Sequence, residues 1–462
     1  MKKVIVIGGG IAGLSAGVFA QRSGFEVTIL ESHSIAGGNC TSWKRKGYLF
    51  EGGMHWLVGT NPKDPLNGLW RSIGALDDSV KIEYSDPFLE FKHNGTSVCI
   101  YRDVNKTEQE WITLSPKDEK EIKFLCDNIR NVQNEQDSDS IFFELTREEY
   151  ASRFSHESLK AFFHAVPGDE QGIPMLLMTC GSLANGEGGF PEGGSLPFVA
   201  RIVKTFESLG GKILYKSPAE RVVVENGKAV GVIADGKTLP ADAVIIASDT
   251  MAIDKLFDNP PKAAWIDEMQ ATTGPTMVVL VSLGINADLR HYSTKPILKL
   301  DTPISIADQT YDYLYTNNYA SDPAYSPKGK TAMTIQLAGD TYDFWRRVKE
   351  EGTYDEEKQK LADKIIKAIS EQIPEAEGKI EVCDIATPLT YERYCGNWKG
   401  SWMTVITADM RKEPYPATVD GLEGVYFAGF RMIPPGGIPP ALISGQIAVQ
   451  YLCGDTDTEF VE

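Results

Sequence analysis

Residues 3–31 read KVIVIGGGIAGLSAGVFAQRSGFEVTILE, and this stretch decides the fold. Val4 to Ile7 is a β-branched apolar run, Gly8 to Gly13 a glycine turn, Leu14 to Gly24 a helix, and Val27 to Leu30 a second apolar run, so the segment is predicted to be a βαβ unit. Its turn has the spacing Gly8-x-Gly10-x-x-Gly13. In that spacing the first glycine permits the tight turn, the second lets the backbone approach a diphosphate, and the third lets helix and strand pack closely. The helix start, with Ile11 and Ala12, offers free amides and the positive end of the helix dipole. Glu31, followed by Ser32, ends the second strand, where a carboxylate accepts from both ribose hydroxyls and disfavours a 2′-phosphate. FAD or NAD is therefore expected over NADP. Gly13-Leu14-Ser15-Ala16-Gly17 also matches the hydrolase elbow, but the spacing puts Ser15 inside the dinucleotide helix rather than on an exposed turn.

The chain of 462 residues is long enough for two or three domains. With 42% apolar and 24% charged residues it is an ordinary globular composition, and the net charge of −18 has the wrong sign for a nucleic-acid partner. Seven cysteines with no CxxC pair predict a reducing compartment, no zinc site and no redox disulfide; the six histidines show no metal-ligand spacing. His156 and His164, eight apart, are expected to share a helix face. The apolar run Val4–Ala20 is interrupted by five glycines and is too short for a spanning helix, so the expected location is cytoplasmic.

Five segments are expected along the chain. The first fold occupies 1–75, resumes over 188–250 and closes over 405–462; 76–187 and 251–404 are insertions that form a substrate domain. The first insertion carries charged helical stretches such as Pro116–Gln136, and the Gly186–Gly194 run is read as a loop or hinge. Ser195–Leu209 is predicted as an amphipathic helix stopped by Gly210-Gly211, and Arg221–Glu225 with Ala229–Ile233 as a hairpin around Asn226-Gly227. In the second insertion Thr276–Leu283 reads as a strand and Tyr354–Ile373 as a charged helix. Tyr311, Tyr313, Tyr315 and Tyr319, near period two, are expected on one face of a sheet or lining a pocket.

The pair Gly37-Gly38 with Asn39, then Phe50-Glu51-Gly52-Gly53-Met54-His55-Trp56, resembles the diglycine segment of the flavoprotein group that contains amine oxidases, protoporphyrinogen oxidase and phytoene desaturases. Gly424-Val425-Tyr426-Phe427-Ala428-Gly429, with Pro435-Gly436-Gly437-Ile438-Pro439 and Ser444-Gly445, resembles that group's closing flavin motif. There a helix N-terminus faces the pyrimidine ring. Within the group the chain is most similar to the phytoene dehydrogenase, carotenoid isomerase and retinol saturase branch. That judgement rests on Pro191–Pro197 followed by Val222, on Thr387–Tyr394 with Gly396-Asn397, and on the Gly436–Pro439 turn. Glu51 stands where members often carry Asp, and Phe430-Arg431-Met432 replaces the usual residues after Ala-Gly.

The resemblance implies an α/β fold: a Rossmann-like FAD-binding domain of the glutathione reductase type with an inserted α+β substrate domain. Implied FAD contacts are Gly8, Gly10, Ile11, Ala12, Gly13, Glu31, Ser32, Gly37, Gly38, Asn39, Gly53, Met54, His55, Val222, Gly429, Phe430, Gly437 and Ile438; no metal is implied. His55 and Trp56 are the residues expected to touch isoalloxazine or substrate. The implied activity is redox or isomerisation at carbon-carbon double bonds of a small apolar, polyene-, retinoid- or lipid-like substrate, by hydride exchange at flavin N5. The resemblance alone implies peripheral membrane contact. The electron partner stays open among substrate, oxygen, a quinone and a free nicotinamide donor. An amine oxidase and a non-catalytic prenyl- or lipid-binding module of the same fold are the rival readings. Arg393 and Arg431 are read as meeting an anionic head group or as surface ion pairs.

Overall fold

The computed structural model describes residues 1–134, 141–165, 172–404, 411 and 413–462. Positions 135 and 136 of the expected Pro116–Gln136 helix, and 405–410 and 412 at the opening of the last expected segment, lie outside the described residues.

The first βαβ unit forms as its apolar pattern dictates. Strand Lys3–Ile7 pairs in parallel with Glu26–Leu30, and helix Ile11–Arg22 crosses between them. The helix starts at Ile11 rather than Leu14, because Gly10 serves as its N-cap in extended backbone, and it ends before Gly24, whose φ of +89° is left-handed. The full parallel sheet runs Val425–Phe427, Ala243–Ile246, Lys3–Ile7, Glu26–Leu30, Lys212–Leu214. Strands separated by hundreds of residues thus share one sheet. Helices Ile11–Arg22, Ser195–Ser208 and Ile438–Asp455 cover one face around Leu14, Val18, Phe206 and Val449. An antiparallel layer, Ala219–Glu225, Lys228–Ala234 and Lys237–Pro240, covers the other around Ile5, Val222 and Val244. Its hairpin turns at Asn226 (φ +52°) and Gly227 (φ +80°), the pair of left-handed residues that a two-residue turn of this hand requires.

A second, seven-stranded sheet has the order Ile380–Ala386, Val278–Ile285, Thr331–Ala338, Gln309–Asn318, Pro296–Ile306, Leu89–His93, Thr96–Ile100. All its pairings are antiparallel except that of Pro296–Ile306 with Leu89–His93, which joins a strand from each insertion. Helices Tyr342–Glu350 and Tyr354–Gln372 pack on one side. On the other lie helices Val104–Leu114, Glu119–Gln133, Glu157–Ala165 and Gly172–Ala184.

Several expectations change. The strand read at Thr276–Leu283 runs Val278–Ile285, because Pro275–Thr276 pair separately with Met403–Thr404. The tyrosine stripe does not share a face: Tyr311 packs with the Tyr342–Gln372 helices, whereas Tyr313 and Tyr315 pack on the opposite side. A register shift in the partner strand between Lys299 and Ile304 turns the pairing over between Tyr313 and Tyr311. His156 does not lie in the helix with His164; it precedes helix Glu157–Ala165, and its Nδ1 accepts from the Ser158 amide at 3.2 Å. Gly186–Gly194 is a braced segment and not a hinge. The Glu187 carboxylate accepts from the amides of Gly59 (2.5 Å) and Thr60 (2.8 Å), and the Arg102 guanidinium donates to the carbonyls of Glu187 (2.7 Å) and Gly188 (2.9 Å).

Candidate active site

The glycine turn sits at the carboxyl ends of the parallel strands, where open α/β sheets place their ligands. Gly8 has φ +102°, and a Cβ on Gly13 would lie 1.9 Å from the Gly8 carbonyl, so helix and turn meet as closely as backbone allows. Gly10, the N-cap of helix Ile11–Arg22, has no side chain capping it, which leaves the helix's first amides open to an anion. Glu31 is buried; its Oε2 accepts from the Gly9 amide at 2.8 Å and its Oε1 from the His33 amide at 2.7 Å. The carboxylate therefore holds the turn while keeping lone pairs for ribose hydroxyls. Ser32 is exposed beside it, with Oγ 3.4 Å from Oε1. Ser15 is buried within the helix and donates to the Leu442 carbonyl at 2.8 Å, so the hydrolase elbow is absent.

Gly37 and Gly38 close the same cradle. The Gly37 amide donates to the Gly9 carbonyl at 2.8 Å, and Gly38 lies against Gly10. Asn39 carries a buried side-chain oxygen with no partner, and its carbonyl would be 1.9 Å from a Cβ on Gly53. The diglycine segment is thereby packed onto Gly53-Met54. Across the site, Gly437 (φ +111°) opens helix Ile438–Asp455 without a side-chain cap, and the Gly429 amide donates to Ser444 Oγ at 3.0 Å, tying the last strand's end to that helix. Phe430 packs beside this turn, against the core of the first sheet. Val222 is buried in the core beneath Ile7 and Leu30, so contact with a ligand falls to its backbone. Uncapped helix starts, a cradle that any Cβ would fill and an orphaned buried amide oxygen fit a dinucleotide flavin.

Glu51 locks the flavin-side loop. Its Oε1 accepts from the amides of Gly53 (3.2 Å) and Met54 (3.1 Å) and from the Ser195 hydroxyl. Its Oε2 accepts from the Ser195 amide (3.0 Å) and the Tyr325 hydroxyl (2.9 Å). Burial pushes this carboxyl up, and these donors pull it back toward ionisation.

Beyond Met54 the loop runs into an aromatic cluster. His55 lies 5.4 Å from the Trp402 ring, its Nδ1 is 3.5 Å from Asn317 Nδ2, and its buried Nε2 has no partner. Burial first, and the nearby Lys295 cation second, hold the imidazole down at about 3, so it is neutral at physiological pH. Trp56 meets Phe88 edge-on at 5.8 Å. Lys295 Nζ donates to the His55 carbonyl at 2.8 Å and to Asn317 Oδ1 at 3.2 Å, and it lies 5.4 Å from the Phe88 ring centre. The predicted pair His55 and Trp56 is thus brought together with Phe88, Lys295, Asn317 and Trp402, which sequence reasoning missed. No local signal marks them: Lys295 is a single lysine before a proline. Arg431 meets neither expectation set for it. It is 1% exposed and paired with buried Asp249 at 2.7 Å. Arg393 is exposed and stacks on Tyr394 at 4.3 Å. Among the described residues no cluster of ligands suits a metal ion, and no helix is long and apolar enough to cross a membrane.

This fold and this cradle define an FAD-dependent flavoprotein. Residues 11–453 match the model of the flavin containing amine oxidoreductases, and the chain belongs to that family. It is 24% identical to the chloroplastic prolycopene isomerase of Daucus carota over 98% of this chain and 80% of that protein. It is 22% identical to the all-trans-retinol 13,14-reductase of Danio rerio over 86% of this chain and 76% of that one. An oxidoreductase from Methanosarcina mazei shares the fold with a TM-score of 0.67 at 20% identity, covering 97% of this chain and 100% of that one. The chain is an FAD-dependent oxidoreductase of the phytoene dehydrogenase-like kind.

Proposed function

We propose that the enzyme desaturates, saturates or isomerises carbon-carbon double bonds of a polyene- or retinoid-like substrate. The observation that carries this reading is the aromatic cluster beyond Met54, where Trp402 lies 5.4 Å from a neutral His55 and Trp56 meets Phe88 at 5.8 Å. Relatives named as a prolycopene isomerase and a retinol reductase support the substrate class. In this reading Gly8–Gly13 would hold the FAD diphosphate, Glu31 its ribose, and Gly53–Trp56 with Gly437–Ile438 its ring system. Bound FAD supplies hydride exchange at N5. The chain's own contribution is position and dryness: Glu51 fixes Gly53 and Met54, and the aromatic walls hold a C–H bond near the ring while excluding water. The Lys295 cation weighs against an ammonium-bearing substrate. As in the branch it resembles, peripheral membrane contact gives the enzyme access to such a substrate.

The test is an absorption spectrum of the purified protein, anaerobic reduction, and challenge with polyenes, retinoids, unsaturated fatty acids and amines. Flavin bands near about 370 and 450 nm that change with a polyene support the reading. Turnover of amines alone, with no polyene affecting the bands, would overturn it.

A further inference from the structure

Lys295 is a half-buried cation without an ion-pair partner. The hydrogen-bonding partners of its ammonium are two neutral oxygens, the His55 carbonyl and Asn317 Oδ1, and among the described residues no carboxylate pairs with it. An ammonium has three N–H donors, so one is left over. Charges taken out of water are normally paired or serve a ligand, because an isolated one disfavours the fold. The acid that most influences Lys295 is the half-buried Glu83, which stands outside ion-pair range. Burial brings the ammonium down to about 8; Glu83 opposes that fall and Arg102 adds to it.

The surroundings are polarised. Phe88 lies under the ammonium at 5.4 Å with Trp56 edge-on beyond it, while Asn317, the His55 carbonyl and, farther off, Glu83 supply the polar side. Lys295 and His55 are each half-buried, so part of the surface of each stays open. An aromatic wall that meets a single unpaired cation has the polarity of an amphipathic lipid. It does not match a pure hydrocarbon, which would leave the cation desolvated with nothing to face.

We propose that Lys295 is the anchor for a carboxylate on the substrate, so that the enzyme takes unsaturated or polyene acids in preference to polyene hydrocarbons. This rests on the polyene reading above and narrows it. The carboxylate accepts from the free Lys295 N–H, with the Asn317 amide nitrogen beside it, and the chain lies along Phe88 and Trp56. No bond is made or broken at Lys295, which acts as a specificity determinant.

The test uses FAD-loaded enzyme and two fluorescent probes of identical chain, parinaric acid and its methyl ester. The acid is expected to bind at least about tenfold more tightly than the ester near pH 7. That preference should vanish in Lys295→Met, persist in Lys295→Arg, and fade in the unaltered enzyme as pH rises through about 8. Retained flavin absorbance confirms that a variant is folded; if Lys295→Met does not fold, Lys295→Arg and the pH series still decide. Equal binding of acid and ester by the unaltered enzyme, or an undiminished preference in Lys295→Met, overturns the proposal. Binding of neither probe overturns it together with the polyene reading. An acid preference without any flavin response to polyenes sustains the anchor and sinks the double-bond chemistry alone.

Discussion

The Glu51 carboxylate accepts a hydrogen bond from the Ser195 amide at 3.0 Å, across 144 positions of chain. Ser195 opens the helix that packs behind the glycine cradle, and Glu51 precedes the Gly52-Gly53 turn that leads to His55 and Trp56. One buried side chain therefore couples the floor of the cofactor site to the loop that shapes the substrate side. Tyr325, from the loop before strand Thr331–Ala338, completes the junction at 2.9 Å. The helix behind the first sheet and the loop that precedes strand Thr331–Ala338 of the inserted sheet thus meet at this carboxylate.

Replacing Glu51 with Ala strands the amides of Gly53, Met54 and Ser195 and the Tyr325 hydroxyl in a dry site. The expected loss is on the order of 3–5 kcal/mol of unfolding free energy, with release of flavin. Glu51→Gln keeps an acceptor and should lose less. Denaturant titration with flavin absorbance as a second probe checks both, and an Ala variant as stable as the unaltered chain would refute the coupling.

Gly13→Ala isolates the cradle. The added Cβ would lie 1.9 Å from the Gly8 carbonyl, a backbone atom that can only move with its strand. Overpacking of this kind costs about 1–3 kcal/mol, and here it also displaces the amides that face the diphosphate. FAD retention through gel filtration, read as the ratio of flavin to protein absorbance, is expected to fall more than about tenfold. Full retention would place the diphosphate elsewhere.

The first half of the cradle was legible because apolar strand, glycine spacing, helix and Glu31 lie within 29 consecutive residues. Local order translates directly into local geometry there. The aromatic cluster was only half legible, since His55 and Trp56 stand in a recognisable segment but Lys295 reaches His55 across 240 positions. No periodicity records such a contact; nor does any record Phe88 beside Lys295, where the parallel pairing of Pro296–Ile306 with Leu89–His93 joins the two insertions. The tyrosine stripe misled for a related reason. Strand period assigns faces only while the partner's register holds, and the shift between Lys299 and Ile304 breaks it.

Arg431 and Asp249 form a buried ion pair at 2.7 Å, and Asp249 also accepts from the Trp398 amide at 2.8 Å and the Met251 amide at 3.1 Å. Arg431→Met should cost about 3–5 kcal/mol, because it leaves that carboxylate buried without its cation. Adding Asp249→Asn removes the stranded charge and should restore more than half of the loss. A double-mutant cycle in denaturant measures the coupling, and strictly additive losses would show that the two side chains act independently.

His55 carries the clearest pH signature. Its folded value of about 3 lies below the ordinary 6.5, set first by burial and then by the Lys295 cation. The unfolded chain takes up a proton below 6.5 that the folded chain refuses, so this contribution to stability is complete above 6.5 and drains as pH falls toward about 3. The slope from this one group is at most about 1.4 kcal/mol per pH unit. His55→Phe keeps a ring against Trp402 and removes the titration, so between about pH 7.5 and pH 4.5 it should lose less stability than the unaltered chain, even though carboxyl groups titrate in both. Denaturant midpoints at the two pH values give the comparison; parallel losses would mean that His55 is protonated in the folded state, and with it the neutral character of the aromatic cluster would fail.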